Sequence, residues 1–109
     1  MNKELQITFR GLDPSEFIDS YVRKRAEKLE RFADHIVGCH VVIESPHHHK
    51  SHGGHFKVMI DLKLPGDEIV VGNHHRENKS HEDVYATIDD AFEDVTRVLQ
   101  ERLRKRRGD

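Results

Sequence analysis

The sequence predicts an α+β domain with the element order β-α-β-β-β-α: a four-stranded sheet with two helices packed on one face. Three observations predict it. Four segments alternate apolar and polar residues or run β-branched. Two longer segments repeat apolar residues at helical spacing, and polar loops join the pieces. The whole chain, 1–109, reads as a single domain ending in a basic tail over 102–109.

The elements follow in order. Residues 5–10, LQITFR, set Leu5, Ile7 and Phe9 on one side of a strand. GLDPSE then opens a helix, with Asp13 as N-cap, Pro14 at the first helical position and Glu16 three residues after the cap. This helix is expected over about 14–32, with Ile18, Val22, Leu29 and Phe32 on a narrow apolar arc. IVGCHVVIES, 36–45, is a second strand. A strand, a helix and a strand in succession predict parallel pairing through a right-handed crossover. FKVMIDLKL alternates, with Phe56, Val58, Ile60, Leu62 and Leu64 inward and Lys57, Asp61 and Lys63 outward. PGDE is expected as a tight turn before EIVVGN, making 55–73 a hairpin. The last helix takes Ser80 as N-cap, with Asp83 three residues later. Val84, Ile88, Ala91, Phe92, Val95, Leu99 and Leu103 recur along it. Two helices on one sheet face bury all these stripes, so the other face has to be polar or covered.

Composition narrows the function. Hydrophobic and charged residues each make up 35% of the chain, so the core is lean. With no Trp, two Tyr and five Phe, few rings are left for stacking single-stranded nucleic acid. The apolar runs fall far short of a membrane span, and MNKELQITF shows no apolar signal region. The lone Cys39 lacks a partner for an internal disulfide and is expected to be a buried small hydrophobe. A cytoplasmic location without a membrane partner is the expectation. No phosphate-cradling Gly loop and no nucleophile with a recognisable base stand in the sequence. No enzyme activity, cofactor or small-molecule substrate is therefore expected.

The formal charge of −2 conceals segregation. Residues 23–31 hold five basic and two acidic side chains, 82–94 hold six acidic and no basic ones, and 102–107 hold five basic ones. Blocks of this kind make either solvated faces or patches for a polyanion. At about 100° per residue, Lys24, Lys28 and Arg31 cluster along one edge of the apolar arc of the first helix, beyond Tyr21. Glu16, Glu27 and Glu30 lie toward the opposite side. Glu27 and Arg31 also have the i,i+4 spacing of an ordinary helix pair, worth ~0.2–0.5 kcal/mol.

Arg25 falls inside the apolar arc, between Val22 and Leu29. Either its stem covers the core edge while its head reaches water, or its guanidinium is held where the helices meet and presented to phosphate. On the last helix, Asp90, Asp94, Arg97, Glu101 and Lys105 line one strip with the spacing of an intrahelical charge ladder. RLRKRR suits the negative end of the helix dipole. It offers either flexible phosphate contacts or a solubilising end.

These residues resemble the ribosome hibernation promoting factor family, which includes the ribosome-associated inhibitor A and was formerly called the sigma-54 modulation proteins. The resemblance rests on the order of elements, on KRAEKLERF in the first helix and above all on HEDVYATID opening the last. It covers residues 4–105. It implies a fold similar to the double-stranded RNA-binding domain. It also implies binding to the small (30S) ribosomal subunit, through 16S rRNA, in the mRNA and tRNA channel between head and body. A protein there excludes mRNA and tRNA, blocks translation and stores ribosomes in an inactive state. Under the resemblance, Lys24, Arg25, Lys28 and Arg31 are the RNA-binding residues of the first helix and Arg97 that of the last. Arg102, Arg104 and Lys105 extend the surface. Family members usually carry Lys where Asp94 stands, and often Gln and Lys where Val98 and Glu101 stand. The chain resembles the short type, without the long C-terminal extension by which long members dimerise.

Ten His is high for this length. His47, His48, His49, His52 and His55 fall within nine residues, and His74 and His75 lie in the second polar loop. The run in 46–55 is a candidate metal-binding tract, although it lacks the pair spacing of a structural zinc site. It is equally a candidate pH-dependent source of positive charge. A divergent family member acting as a His-rich metal-binding or protein-interaction module is the alternative function.

Overall fold

The computed structural model describes residues 4–33, 35–45, 56–72 and 83–106. Its elements are β1 (Glu4–Arg10), α1 (Glu16–Leu29), β2 (Gly38–Glu44), β3 (Lys57–Leu64), β4 (Asp67–Val71) and α2 (Val84–Arg106). The expected β-α-β-β-β-α order is the observed one. The sheet runs β1-β2-β3-β4. β1 pairs parallel with β2, and the other two pairings are antiparallel.

The register stacks apolar residues in rows. Leu5, Cys39, Leu62 and Ile69 lie side by side, then Ile7, Val41, Ile60 and Val71, then Phe9, Ile43 and Val58. Because side chains alternate with a period of two, all three rows share one face. Ile18, Val22, Ala26 and Leu29 of α1 join Ile88, Ala91, Phe92, Val95 and Leu99 of α2 in one buried core with them. Both helices thus cover the same face. The opposite face is mixed. Gln6, His40, Asp61 and Val70 share one row there, and the Thr8 hydroxyl lies 2.8 Å from His40 Nε2. Val42, on that face, is only 4% exposed.

Local chemistry shifts four expected boundaries. Ser15, not Asp13, caps α1: its backbone is extended and its hydroxyl accepts from the Ile18 N–H at 3.2 Å. Pro14 therefore precedes the cap. The helix ends at Leu29, and the chain tightens into i→i−3 bonds from the Arg31 and Phe32 N–H groups to the Lys28 and Leu29 carbonyls. That turn carries Phe32 off the apolar arc and leaves it exposed, while Ala33 and Ile36 fill the core instead. The β3–β4 turn is Pro65–Gly66 alone, with Asp67 and Glu68 already in β4. Pro presets the first turn position and Gly66 supplies φ 71 at the second. Asp83 caps α2, its carboxylate accepting from the Tyr85 N–H at 2.9 Å and its carbonyl from the Thr87 N–H at 3.0 Å. Ser80 lies outside the described residues. Gly11, at φ 78, lets the chain leave β1 beside the end of β2, where a Cβ would collide with the Ser45 carbonyl oxygen.

Candidate nucleic-acid interface

α1 buries Ile18, Val22, Ala26 and Leu29, so its remaining arc faces solvent. Lys24 and Lys28 are exposed on that arc, and Arg31 is exposed just past the helix end. Among the described residues, none of the three has a carboxylate within salt-bridge distance. The i,i+4 pair of Glu27 with Arg31 does not close, because Arg31 has already left the helix. Arg23 differs: Asp19 takes its Nε–H at 2.6 Å. The acid absorbs one cation on the far side and leaves the rim uncompensated.

Arg25 sits where the two helices meet, its side chain 23% exposed. Its guanidinium carbon lies 5.6 Å from the centre of the Phe92 ring. Nη2 donates to the Asp89 carbonyl at 3.4 Å, and Nε stands 3.4 Å from the Asp89 carboxylate without hydrogen-bond alignment. The same carboxylate accepts a 2.7 Å bond from the Tyr21 hydroxyl. Tyr21 in turn meets Tyr85 edge-to-face, with ring centres 5.1 Å apart. The hydrogen bond to Asp89, then burial and the Asp89 charge, raise the Tyr21 pKa above its ordinary value, partly opposed by Arg25. Of the two placements open to Arg25 in the sequence, the structure has the guanidinium where the helices meet, over the Phe92 ring and tied to α2 through Asp89.

The cations of α2 are placed differently. Arg97 is bracketed by Asp94 at 3.3 Å and Glu101 at 4.0 Å, which is the charge ladder its spacing predicts. Arg102 turns inward and donates to both Asp67 oxygens at 2.7 and 2.8 Å. It pins the end of α2 to the first residue of β4. Arg104 and Lys105 are exposed. Of the sequence-predicted set, the structure brings Lys24, Arg25 and Lys28 together on α1, with Arg31 following. It commits Arg97 and Arg102 to acids.

Two features of this surface were not foreseen. Asp89 organises the helix junction, and its place in the HEDVYATID stretch was the available signal. Phe17, in the first turn of α1, is 81% exposed, although composition had left few rings to spare. Cys39 is buried as expected, and burial pushes its thiol up to about 12. His47, His48, His49, His52 and His55 lie outside the described residues, as do His74 and His75. Among the described residues, no group of three His, Cys, Asp or Glu side chains could hold a metal ion, and no helix is long and apolar enough to cross a membrane.

A family model described as sigma 54 modulation protein / S30EA ribosomal protein matches residues 5–107. No curated protein matches. Among solved structures, the N-terminal domain of Thermus thermophilus Protein Y superposes with a TM-score of 0.68 at 24% identity, covering 93% of this chain and 98% of that one. A ribosomal subunit interface protein from Coxiella burnetii superposes with a TM-score of 0.71 at 21% identity, covering 90% of this chain and 94% of that one. At these identities the likeness establishes the fold.

Proposed function

This chain belongs to the sigma 54 modulation protein / S30EA ribosomal protein family, and on that premise we propose that it is a ribosome-associated translation inhibitor. It binds the 30S subunit through 16S rRNA in the mRNA and tRNA channel. One observation carries the proposal: Lys24 and Lys28 on α1 and Arg31 just past its end form an exposed basic rim without acidic partners among the described residues, on a helix fixed by its buried side. A rigid domain with such a rim reads the phosphates and shape of folded RNA more than its base edges. Arg25, held at the helix junction beside the Asp89 carboxylate, borders this rim and adds less than its three exposed cations. Arg104 and Lys105 extend the surface. Arg97 and Arg102 contribute less, because acids already neutralise them. The protein acts as a ligand that occupies space, in the cytoplasm where ribosomes are, and needs no chemistry. The Coxiella protein of the same fold, titled a ribosomal subunit interface protein, supports this reading.

The test is competition. Purified small subunits carrying mRNA are titrated with the protein, and mRNA-dependent tRNA binding is followed by filter retention. The protein is expected to suppress tRNA binding at about one copy per subunit. Undiminished tRNA binding at saturating protein would contradict the proposal.

A further inference from the structure

The exposed ring of Phe17 has no role in the core. Burying a Phe side chain stabilises a fold by ~1.5–3 kcal/mol, yet this one stands 81% exposed, well above any other large hydrophobic residue described. It falls about 100° around α1 from the buried Ile18. Tyr21 follows one turn later, Lys24 two turns later and Lys28 three turns later. At 100° per residue these four side chains share an arc of about 60°. Lys24 lies roughly 10 Å along the axis from Phe17, at ~1.5 Å per residue.

The surroundings of the ring specify what it meets. Tyr21, on the same arc, is fixed from behind by its 2.7 Å bond to Asp89 and by its edge-to-face contact with Tyr85. The nearest charges on the arc are lysines without acidic partners among the described residues. An apolar protein partner would have to cover those ammonium groups at a desolvation cost. An RNA nucleotide matches both parts: a flat base for the ring and phosphates for the lysines.

We infer that Phe17, Lys24 and Lys28 form a nucleotide-binding patch in which an unpaired RNA base stacks on the Phe17 ring and the neighbouring phosphates sit on the two lysines. The inference rests on the proposed ribosomal function and deepens it, since it adds a base contact to a surface otherwise read as phosphate-directed. It needs one well-placed ring for one base, which the few rings of this chain can supply.

The test compares F17L and F17Y with the unaltered protein in binding to purified small subunits across a salt series. Stacking on an aromatic ring is worth ~1–3 kcal/mol per base, so F17L should bind about 5- to 150-fold more weakly. Its salt slope should be unchanged, because no charge is lost. F17Y keeps a π face and should stay within about threefold of the unaltered protein. Both variants should melt as the unaltered protein does, since the ring is exposed. A photo-crosslinking benzoylphenylalanine at position 17 should join to 16S rRNA. Unchanged affinity of F17L, equal loss in F17Y, or attachment to a ribosomal protein would each overturn the inference. Absence of binding by the unaltered protein would instead overturn the ribosomal reading itself.

Discussion

The two helices carry their positive charge in opposite ways. On α1, Asp19 is held by Arg23, and Lys24, Lys28 and Arg31 are left exposed without acidic partners among the described residues. On α2, Asp94 and Glu101 bracket Arg97, and Asp67 clamps Arg102. Counting basic residues would rate the two helices alike. Tracing each cation to its partner separates those that can release counterions, Arg104 and Lys105 at the end of α2 included, from Arg97 and Arg102, which acids already hold. A net charge of −2 is therefore compatible with a polyanion-binding face.

The strongest way to break this contrast is to reverse the α1 rim. The triple substitution K24E/K28E/R31E should abolish small-subunit binding in co-sedimentation while leaving the melting temperature near that of the unaltered protein, because all three side chains are exposed. Persistent binding would show that the rim is not the contact surface.

The next largest effect separates structure from binding on α2. R102A removes an ion pair in which Nη1 alone donates to both Asp67 oxygens and the Arg side chain is 40% exposed. Solvent screening reduces its worth to ~1 kcal/mol, or about 5 °C in melting temperature. Subunit affinity should hardly change. If affinity collapsed while thermal stability held, Arg102 would be a contact residue and the division between the helices would fail.

Single neutralisations sharpen the comparison further. K28Q should reduce the slope of log affinity against log salt by about 1. R97Q should leave it nearly unaltered, since Asp94 and Glu101 already offset that charge. The remaining expected effect is a gain. D94K frees Arg97 on one side and adds a cation, so the salt slope should steepen by about 1. A slope unmoved by D94K would place the outer face of α2 away from RNA.

How much of this was legible in the sequence depends on distance along the chain. The strands and helices were legible because periods of two and 3.6 are local, and the α1 rim was legible for the same reason. The Arg102–Asp67 clamp spans 35 residues and depends on how the end of α2 lies over the β3–β4 turn, which no local pattern encodes. Arg25 could be placed at the helix junction from its position on the arc. Its partner Asp89, 64 residues away, could not. Helix ends moved because capping is decided by which side chain reaches a free N–H: Ser15 reaches Ile18, and Asp83 reaches Tyr85. Phe32 matched the apolar arc and still missed the core, because the helix stopped three residues before it.

On this reading the α1 rim binds small-subunit RNA through its phosphates. Co-sedimentation of the unaltered protein with purified small subunits across a salt series tests it most directly. The three rim cations alone predict saturable binding whose log affinity falls against log salt with a slope of about −2 to −3, and steeper where Arg104 and Lys105 join the contact. Absence of saturable binding at low salt, or affinity independent of salt, would contradict it.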